Sequence, residues 1–320
     1  MEVRVIFLFL LIVFSANVRS QKIDNLASFR DMKSEHYFRF NYENDFFSAT
    51  DKNYTQGYNL ELVAPGLQQN PLNYLFFNTK KTENRYGISI EHIGFTPSDF
   101  VSSEIQNGDR PFAAAIMLKS FTIATDTLRV RRVAQSFSLG IIGPGAFGKE
   151  MQVEIHKATG NKIPGGWDNQ IKNDLVLNYR LDYEKQLYRY NDLFSLNSNT
   201  TLQVGTLFTK VSLGVNTSLG LLSSAFTPKK KKDKFQVYLY SQPVLSVVGY
   251  DATLQGGLFN KDSPYTLKAS EVERLTAQLN YGLVLKTRTL YFEYARTSIT
   301  KEFKSGSSAN WGGIKVGFTF

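Results

Sequence analysis

Along most of the chain, apolar and polar side chains change places every second residue. Phe38, Phe40 and Tyr42 alternate with Arg39, Asn41 and Glu43, and Tyr58, Leu60 and Leu62 alternate with Gly57, Asn59 and Glu61. A repeat of two is the repeat of a strand, whose side chains point to opposite faces. Comparable segments lie at 86–95, 112–123, 128–142, 175–187, 193–206, 211–222, 235–254, 275–285, 290–299 and 311–320. With the first two they predict about twelve strands, an even number suited to closing an antiparallel barrel. In the last segment Ile314, Val316, Phe318 and Phe320 share one face and Lys315, Gly317 and Thr319 the other.

One stretch breaks the alternation. Between Gly145 and Gly160, residues Phe147, Met151, Ile155 and Ala158 recur at helical spacing, and Gln152 and His156 lie four apart on a neighbouring face. Gly160 is placed to end such a helix. The expectation is a short helix in an extracellular loop, packing its apolar stripe on the barrel rim and holding His156 at the membrane surface.

The N-terminus has the form of a secretory signal. Arg4 precedes the apolar run Val5 to Phe14, and small residues follow; such a run is too short to span a bilayer as a helix. The expected organisation is a signal peptide at 1–20, an N-terminal periplasmic segment at 21–35 and a barrel over 36–320. Losing residues 1–20 removes Glu2, Arg4 and Arg19 and lowers the charge by one. A final strand ending on a terminal Phe resembles the C-terminal signature of bacterial outer-membrane barrels.

Composition narrows the class. The 320 residues contain no Cys, which excludes disulfides, thiolate metal sites and a Cys nucleophile. Mean hydropathy is -0.24, against a polytopic helical membrane protein. Hydrophobic residues at 42% argue against disorder, and aromatic content reaches 14%. Together these predict an all-β transmembrane antiparallel barrel with a lumen filled by side chains. The formal charge of +9 is scattered except at Lys229 to Lys232 with Lys234. That run reads as a periplasmic turn, solvated or touching anionic lipid headgroups. Nothing in it suggests nucleic acid as a partner. Connections 125–127 and 287–289 should be periplasmic, and loops 46–53, 96–111 and 143–170 extracellular. The sequons at Asn53, Asn199 and Asn216 are coincidental on this reading.

Three segments are dense in groups able to do chemistry. Glu43-Asn44-Asp45 with Thr50 to Gly57 gathers hard oxygen donors around one outer turn, which suit Ca²⁺ or simply a polar hairpin. Gly108-Asp109-Arg110-Pro111-Phe112 is either a turn braced by an Asp–Arg pair or a site where Arg110 meets substrate phosphate. The third is the helix, where His156 is the preferred general base, followed by Gly165-Gly166-Trp167-Asp168-Asn169-Gln170. His36 and His92 sit in strand patterns and are read as structural.

Taken together, "ENDFF" with "TDKNYTQG", "GDRPF", "GIIGPGAFGKEMQVEIHKATG" and "GWDNQIKN" resemble, in order, the LpxR family of outer-membrane lipid A 3′-O-deacylases. The resemblance implies a twelve-stranded barrel in the outer membrane. It implies Ca²⁺-dependent hydrolysis of the 3′-linked acyl ester of lipid A, with lipopolysaccharide as partner. His156 matches the family's catalytic His, Asn44 and Asp45 its Asn-Asp pair and the Ca²⁺ donors, Thr55 its active-site hydroxyl, and Gln152 a Gln one turn before the His. The family's Lys before the "GDR" segment has no counterpart here, because 95–107 contains no Lys. The mechanism so implied has His156 deprotonating water, Gln152 helping orient the imidazole, and Ca²⁺ polarising the ester carbonyl. The alternatives are another outer-membrane lipid esterase of phospholipase type, or a non-enzymatic structural or channel barrel.

Overall fold

The computed structural model describes residues 25–48, 53–77, 79, 82–227 and 235–320. The expected signal peptide, the turn residues 49–52 and the lysine run at 229–234 lie outside them. Twelve antiparallel strands close into one barrel, each paired with its neighbours in sequence and the first with the last. They are β1 Tyr37–Asn44, β2 Asn53–Val63, β3 Glu83–Thr96, β4 Ala113–Asp126, β5 Arg131–Ile142, β6 Asp174–Tyr190, β7 Phe194–Gly205, β8 Phe208–Leu221, β9 Gln236–Asp251, β10 Leu275–Lys286, β11 Leu290–Ile299 and β12 Ala309–Thr319. Leu128, expected within a strand, lies instead in the turn before β5 and is exposed. There the Asp126 carboxylate accepts the Arg129 N–H at 3.0 Å and caps the turn.

Alternation sorts the side chains as the barrel requires. Phe38, Leu60, Ile90, Leu118, Leu139, Leu213 and Phe292 are exposed on the outer wall, while Arg39, Glu61, Glu91, Arg132, Glu293 and Lys315 are buried inside. At the closing seam Phe38 faces Phe318, Phe40 faces Val316 and Tyr42 faces Ile314, so apolar pairs line the outside. The Phe320 N–H donates to the His36 carbonyl, and the two rings meet at 5.8 Å. No described helix is long and apolar enough to cross a membrane. The wall itself, apolar outside and charged inside with no free edge, is what lipid demands of a sheet. Asn199 and Asn216 lie in strands with buried side chains, which makes their sequons inaccessible in the folded protein.

The start of β1, the end of β12 and the short turns at 127–130, 191–193 and 287–289 lie at one end, taken as periplasmic; the longer connections 97–112, 143–173 and 252–274 lie at the other. The segment before β1, expected at the periplasmic side, is packed into the barrel over part of its described residues. From Leu26 to Met32 it is buried inside the periplasmic half of the lumen. Asp31 sits between Arg85 at 2.5 Å and Arg132 at 2.8 Å, and Arg30 pairs with Glu293 at 2.7 Å. Tyr238 and Arg132 donate to the carbonyls of Phe29 and Leu26, and Glu184 accepts the Ser28 N–H. A lumen lined with charges must be satisfied from within, and this short plug supplies partners that the strands lack. Arg39–Glu61, Lys119–Glu91 and Arg180–Asp182 pairs fill other levels. Lumen cavities at the plug and above it hold about 30 and 10 Å³, room for a water or two and not for an aqueous path.

Burial would push the Asp31 carboxyl up, but Arg85 and Arg132 outweigh it and hold the group well below the usual carboxylate range. The stabilisation is therefore present above the unfolded-state value of 3.8 and is lost as pH falls below it. Asp31→Ala leaves the buried Arg85 and Arg132 without their shared carboxylate and should cost about 3–5 kcal/mol. The measurement is thermal unfolding of the detergent-solubilised barrel at neutral pH. Arg131→Gln, which removes a partly exposed partner of Asp126, should cost less than about 1 kcal/mol.

Candidate active site

The site is assembled on the outer face of β1–β5 at the extracellular end. Its first element is a bulge. Tyr54 pairs with Phe95 and Gln56 with Gly94, leaving Thr55 as an extra residue in β2. Below the bulge Tyr58 and Leu60 point outward; at the bulge Tyr54 turns into the lumen, where its hydroxyl donates to Glu43 at 3.0 Å. The extra residue therefore places Thr55 and Gln56 together on the outer side. An ideal Cβ on outward-facing Gly94 would lie 3.2 Å from Gln56 Cγ and 3.5 Å from Thr55 Cγ2, which locates both side chains there.

The second element is the predicted helix, observed as α1, Gly148–Thr159. It is preceded by a 3₁₀ turn, Pro144–Ala146, and by Phe147 at φ 59°, a left-handed conformation unusual for a bulky residue. Gly160 at φ 70° ends it, its N–H reaching the carbonyls of His156 and Lys157. The packing differs from expectation in one respect. The face turned to the barrel is Gly148, Gln152 and His156, while Phe147 and Ala158 are exposed and Met151 and Ile155 half-buried. The reason is a close approach. A Cβ on Gly148 would stand 2.4 Å from Ala114 Cβ and 2.8 Å from Trp167, so only glycine lets the helix axis come this near. The polar pair then reaches the wall and the apolar stripe faces away from it.

Hydrogen bonds define the geometry. Trp167 Nε1, a donor only, binds Gln152 Oε1 at 2.7 Å, and this fixes the amide so that Gln152 Nε2 donates to Thr55 Oγ1 at 3.0 Å. Thr55 thereby accepts through its oxygen and keeps its own O–H for a further acceptor. The Asn44 Nδ2 donates to the Thr55 carbonyl at 2.7 Å, and Asn44 Oδ1 accepts the Phe46 N–H at 2.7 Å. His156 lies one turn beyond Gln152, with Nδ1 2.6 Å from the Lys162 carbonyl oxygen. A carbonyl can only accept, so Nδ1 carries the proton and the neutral ring has its lone pair at Nε2. The Phe100 ring meets the imidazole edge-on at 5.5 Å. Gln152 does not orient the imidazole, as the sequence reading supposed; the Lys162 carbonyl does.

The loops are tied to one another. Trp167 is fully buried among Phe100, Phe112, Ala114 and Ala146. Asn169 donates to the Ser103 carbonyl and the Gly165 N–H to the Phe100 carbonyl, which join 143–173 to 97–112. Asp109 accepts the Ser98 N–H at 2.7 Å. Thus Asn44, Thr55 and Gln152 are joined by hydrogen bonds, and His156 follows one turn beyond Gln152 on α1. Asp45 follows Asn44 at the start of a 3₁₀ turn, Asp45–Ser48, and is buried. Glu43 points into the lumen instead.

Arg110 is not brought to this group. It is buried, with Nη1 3.1 Å from Glu302, Nη2 3.2 Å from Thr253 Oγ1 and its guanidinium 4.2 Å from the centre of the Phe95 ring. It braces the loops rather than facing a ligand. Sequence reasoning did not assign Trp167 or the Lys162 carbonyl. "GWDN" flagged the first, whereas a main-chain acceptor leaves no mark in sequence. Hard oxygens for a cation are present at Asp45 and Asn44. Among the described residues no group of three or more His, Asp or Glu forms a metal cluster, so other donors would be carbonyls, water or substrate.

The family model "Outer membrane protein LpxR" matches residues 6–320. Among solved structures the chain is similar to LpxR from Salmonella typhimurium at 17% identity, covering 89% of this chain and 100% of that one, with a TM-score of 0.72. The β domain of the Bordetella autotransporter BrkA, at 6% identity, covers 89% of this chain and 99% of its own with a TM-score of 0.47. No curated protein matches significantly in sequence.

Gly148→Val should lift α1 from the wall. Trypsin cleavage after Lys149 and Lys157 should then rise, while the heat-modifiable migration of the folded barrel stays unchanged.

Proposed function

The chain belongs to the LpxR family of outer-membrane proteins, and from that premise we propose that it hydrolyses the 3′-linked acyl ester of lipid A in the outer leaflet, with Ca²⁺ as cofactor. The observation that carries this reading is the hydrogen-bonded set Asn44, Thr55 and Gln152 on the lipid-facing side of the rim, with His156 one turn beyond Gln152 among the buried residues of α1. An imidazole held for base catalysis there meets an ester that lies in the membrane, not one in solution.

His156 Nε2 takes a proton from water as its oxygen adds to the ester carbonyl. The Lys162 carbonyl, already bonded to Nδ1–H, stabilises the imidazolium that results. Collapse of the tetrahedral adduct breaks the acyl C–O bond, and the same proton passes from Nε2 to the departing sugar oxygen. Thr55 O–H, left free by its bond from Gln152, donates to the developing oxyanion or positions the water. Asp45 and Asn44 would hold Ca²⁺, which when bound supplies Lewis-acid polarisation of the carbonyl. With a single carboxylate among its donors the site should be weak, at roughly 10⁻⁴ M or above. Exposed Phe46, Phe147, Val101 and Ile163, with half-buried Met151 and Ile155, offer the apolar surface along which acyl chains can lie. Because Arg110 is turned inward, exposed Lys162 next to the His156 loop is the cation proposed for a lipid A phosphate.

The test is mass spectrometry of lipid A after expression in an outer membrane carrying the unmodified substrate. His156→Ala should reduce acyl loss about 10²-fold or more, and Thr55→Val should reduce it with the barrel intact. Excess chelator should abolish it and added Ca²⁺ restore it. Undiminished deacylation by His156→Ala overturns the mechanism; preferential release of fatty acid from phospholipid presented beside lipid A favours the phospholipase reading.

A further inference from the structure

The outside of β11 carries a charge where its apolar run stops. Leu290 and Phe292 are exposed on the outer face, Tyr294 follows, and the next outward position toward the extracellular end is Arg296. On the opposite face Glu293 and Thr297 are buried in the lumen. Among the described strands Arg296 is the one cation on the outward face at the extracellular end, because outward Arg131 and Lys185 stand near the periplasmic turns. Its neighbours on the outer face are Tyr281 on β10, Gly312 on β12, and Tyr294 and Ser298 along its own strand. None of these is acidic. A long cationic side chain at the edge of an apolar band extends to the interface, where anionic headgroups lie.

The strand register leads from this residue to the candidate site. Arg296 pairs with Gly312, Gly312 with Asn44, and Asn44 with Gln56, all outward. Two strand spacings therefore separate the backbones of Arg296 and Asn44, roughly 10 Å. The position between them has no side chain of its own. An ideal Cβ on Gly312 would stand 2.6 Å from Phe47 Cβ, so the turn Asp45–Ser48 lays Phe47 across the gap. There its ring meets Tyr294 at 6.3 Å and Tyr42 at 6.0 Å. An amide, a flat apolar surface and a guanidinium thus follow one another along a single outward row.

We infer that Arg296 binds the phosphate of lipid A at the end of the disaccharide remote from the 3′ ester. This deepens the deacylase reading and rests on it. A disaccharide phosphorylated at both ends brings one anion beside the scissile ester and a second one at the far sugar. Exposed Lys162, next to the His156 loop, is placed for the first. Arg296 is placed for the second, because it lies beyond Asn44 on the side away from α1, with Phe47 as the floor under the sugars between. The planar fork of a guanidinium takes two phosphate oxygens at once, which a point charge does not. The phosphate is remote from the reacting atoms, so the contact is made equally before and during reaction and acts on KM.

The test presents the purified full-length protein, in mixed micelles with Ca²⁺, with two substrates: lipid A with both phosphates, and lipid A lacking only the phosphate remote from the 3′ ester. Wild type should prefer the first by about tenfold in kcat/KM, the size of one hydrogen bond between charged groups. Arg296→Gln should bring that ratio to within about twofold of one, by raising KM for the doubly phosphorylated substrate rather than by lowering kcat. Arg296→Lys, which keeps the charge without the fork, should retain part of the preference. Arg296→Met is the second variant should Arg296→Gln fail to give the heat-modifiable folded form. A wild type with no preference, or a folded Gln or Met variant that keeps it, overturns the inference and leaves the deacylase reading standing. A wild type that deacylates neither substrate overturns both.

Discussion

Hydrocarbon offers the backbone no partner, so every strand must find its hydrogen bonds in the next strand and the last must return to the first. The rest of this molecule follows from that closure. A closed wall has only two faces, and the repeat of two sends one to lipid and the other to a narrow interior. The interior has no bulk water to solvate Arg39, Arg132, Glu293 and Lys315. Charges are therefore matched across strands or by the inserted N-terminal segment, with Asp31 between two arginines as its centre. The lumen is filled in this way by paired side chains, and the proposed site lies outside it, at the rim.

At the rim the regular ladder would place every second side chain inside. One bulged residue in β2 changes that count and puts Thr55 beside Gln56 on the outer side. One glycine in α1 lets the helix approach closely enough for Gln152 to meet Thr55. Trp167 then decides which end of the Gln152 amide faces the threonine, and a main-chain carbonyl decides which nitrogen of His156 carries the proton. Each step is local.

Most of the architecture was legible in the residues. Strand period survives translation into structure because a slip of one would turn Arg39 or Glu61 into lipid, and all twelve expected strands are found. The helix and its Gly160 terminus were equally plain. Its orientation was not, because an apolar stripe at helical spacing ordinarily marks a buried face. Here the surrounding solvent includes lipid, so exposure of Phe147 carries no penalty. The N-terminal plug was missed because its sequence is short and without period; its place is set by charges on distant strands. Two readings of Arg110 stayed open in the sequence, because turn residues do not reveal on which side of the wall a side chain will fall; its contacts with Glu302 and Thr253 are those of a brace.

The plug has a bearing on assembly. Its contacts come from Arg85, Arg132, Tyr238 and Glu293, on strands that span most of the circumference, and it is continuous with the strand that forms one side of the seam. A cylinder zipped shut beforehand would have to admit a charged thread through a crowded bore. A sheet that curls around the thread meets no such obstacle. Leu26 to Met32 thus have the placement of a mandrel, and the clasp between Phe320 and His36 that of a last stitch.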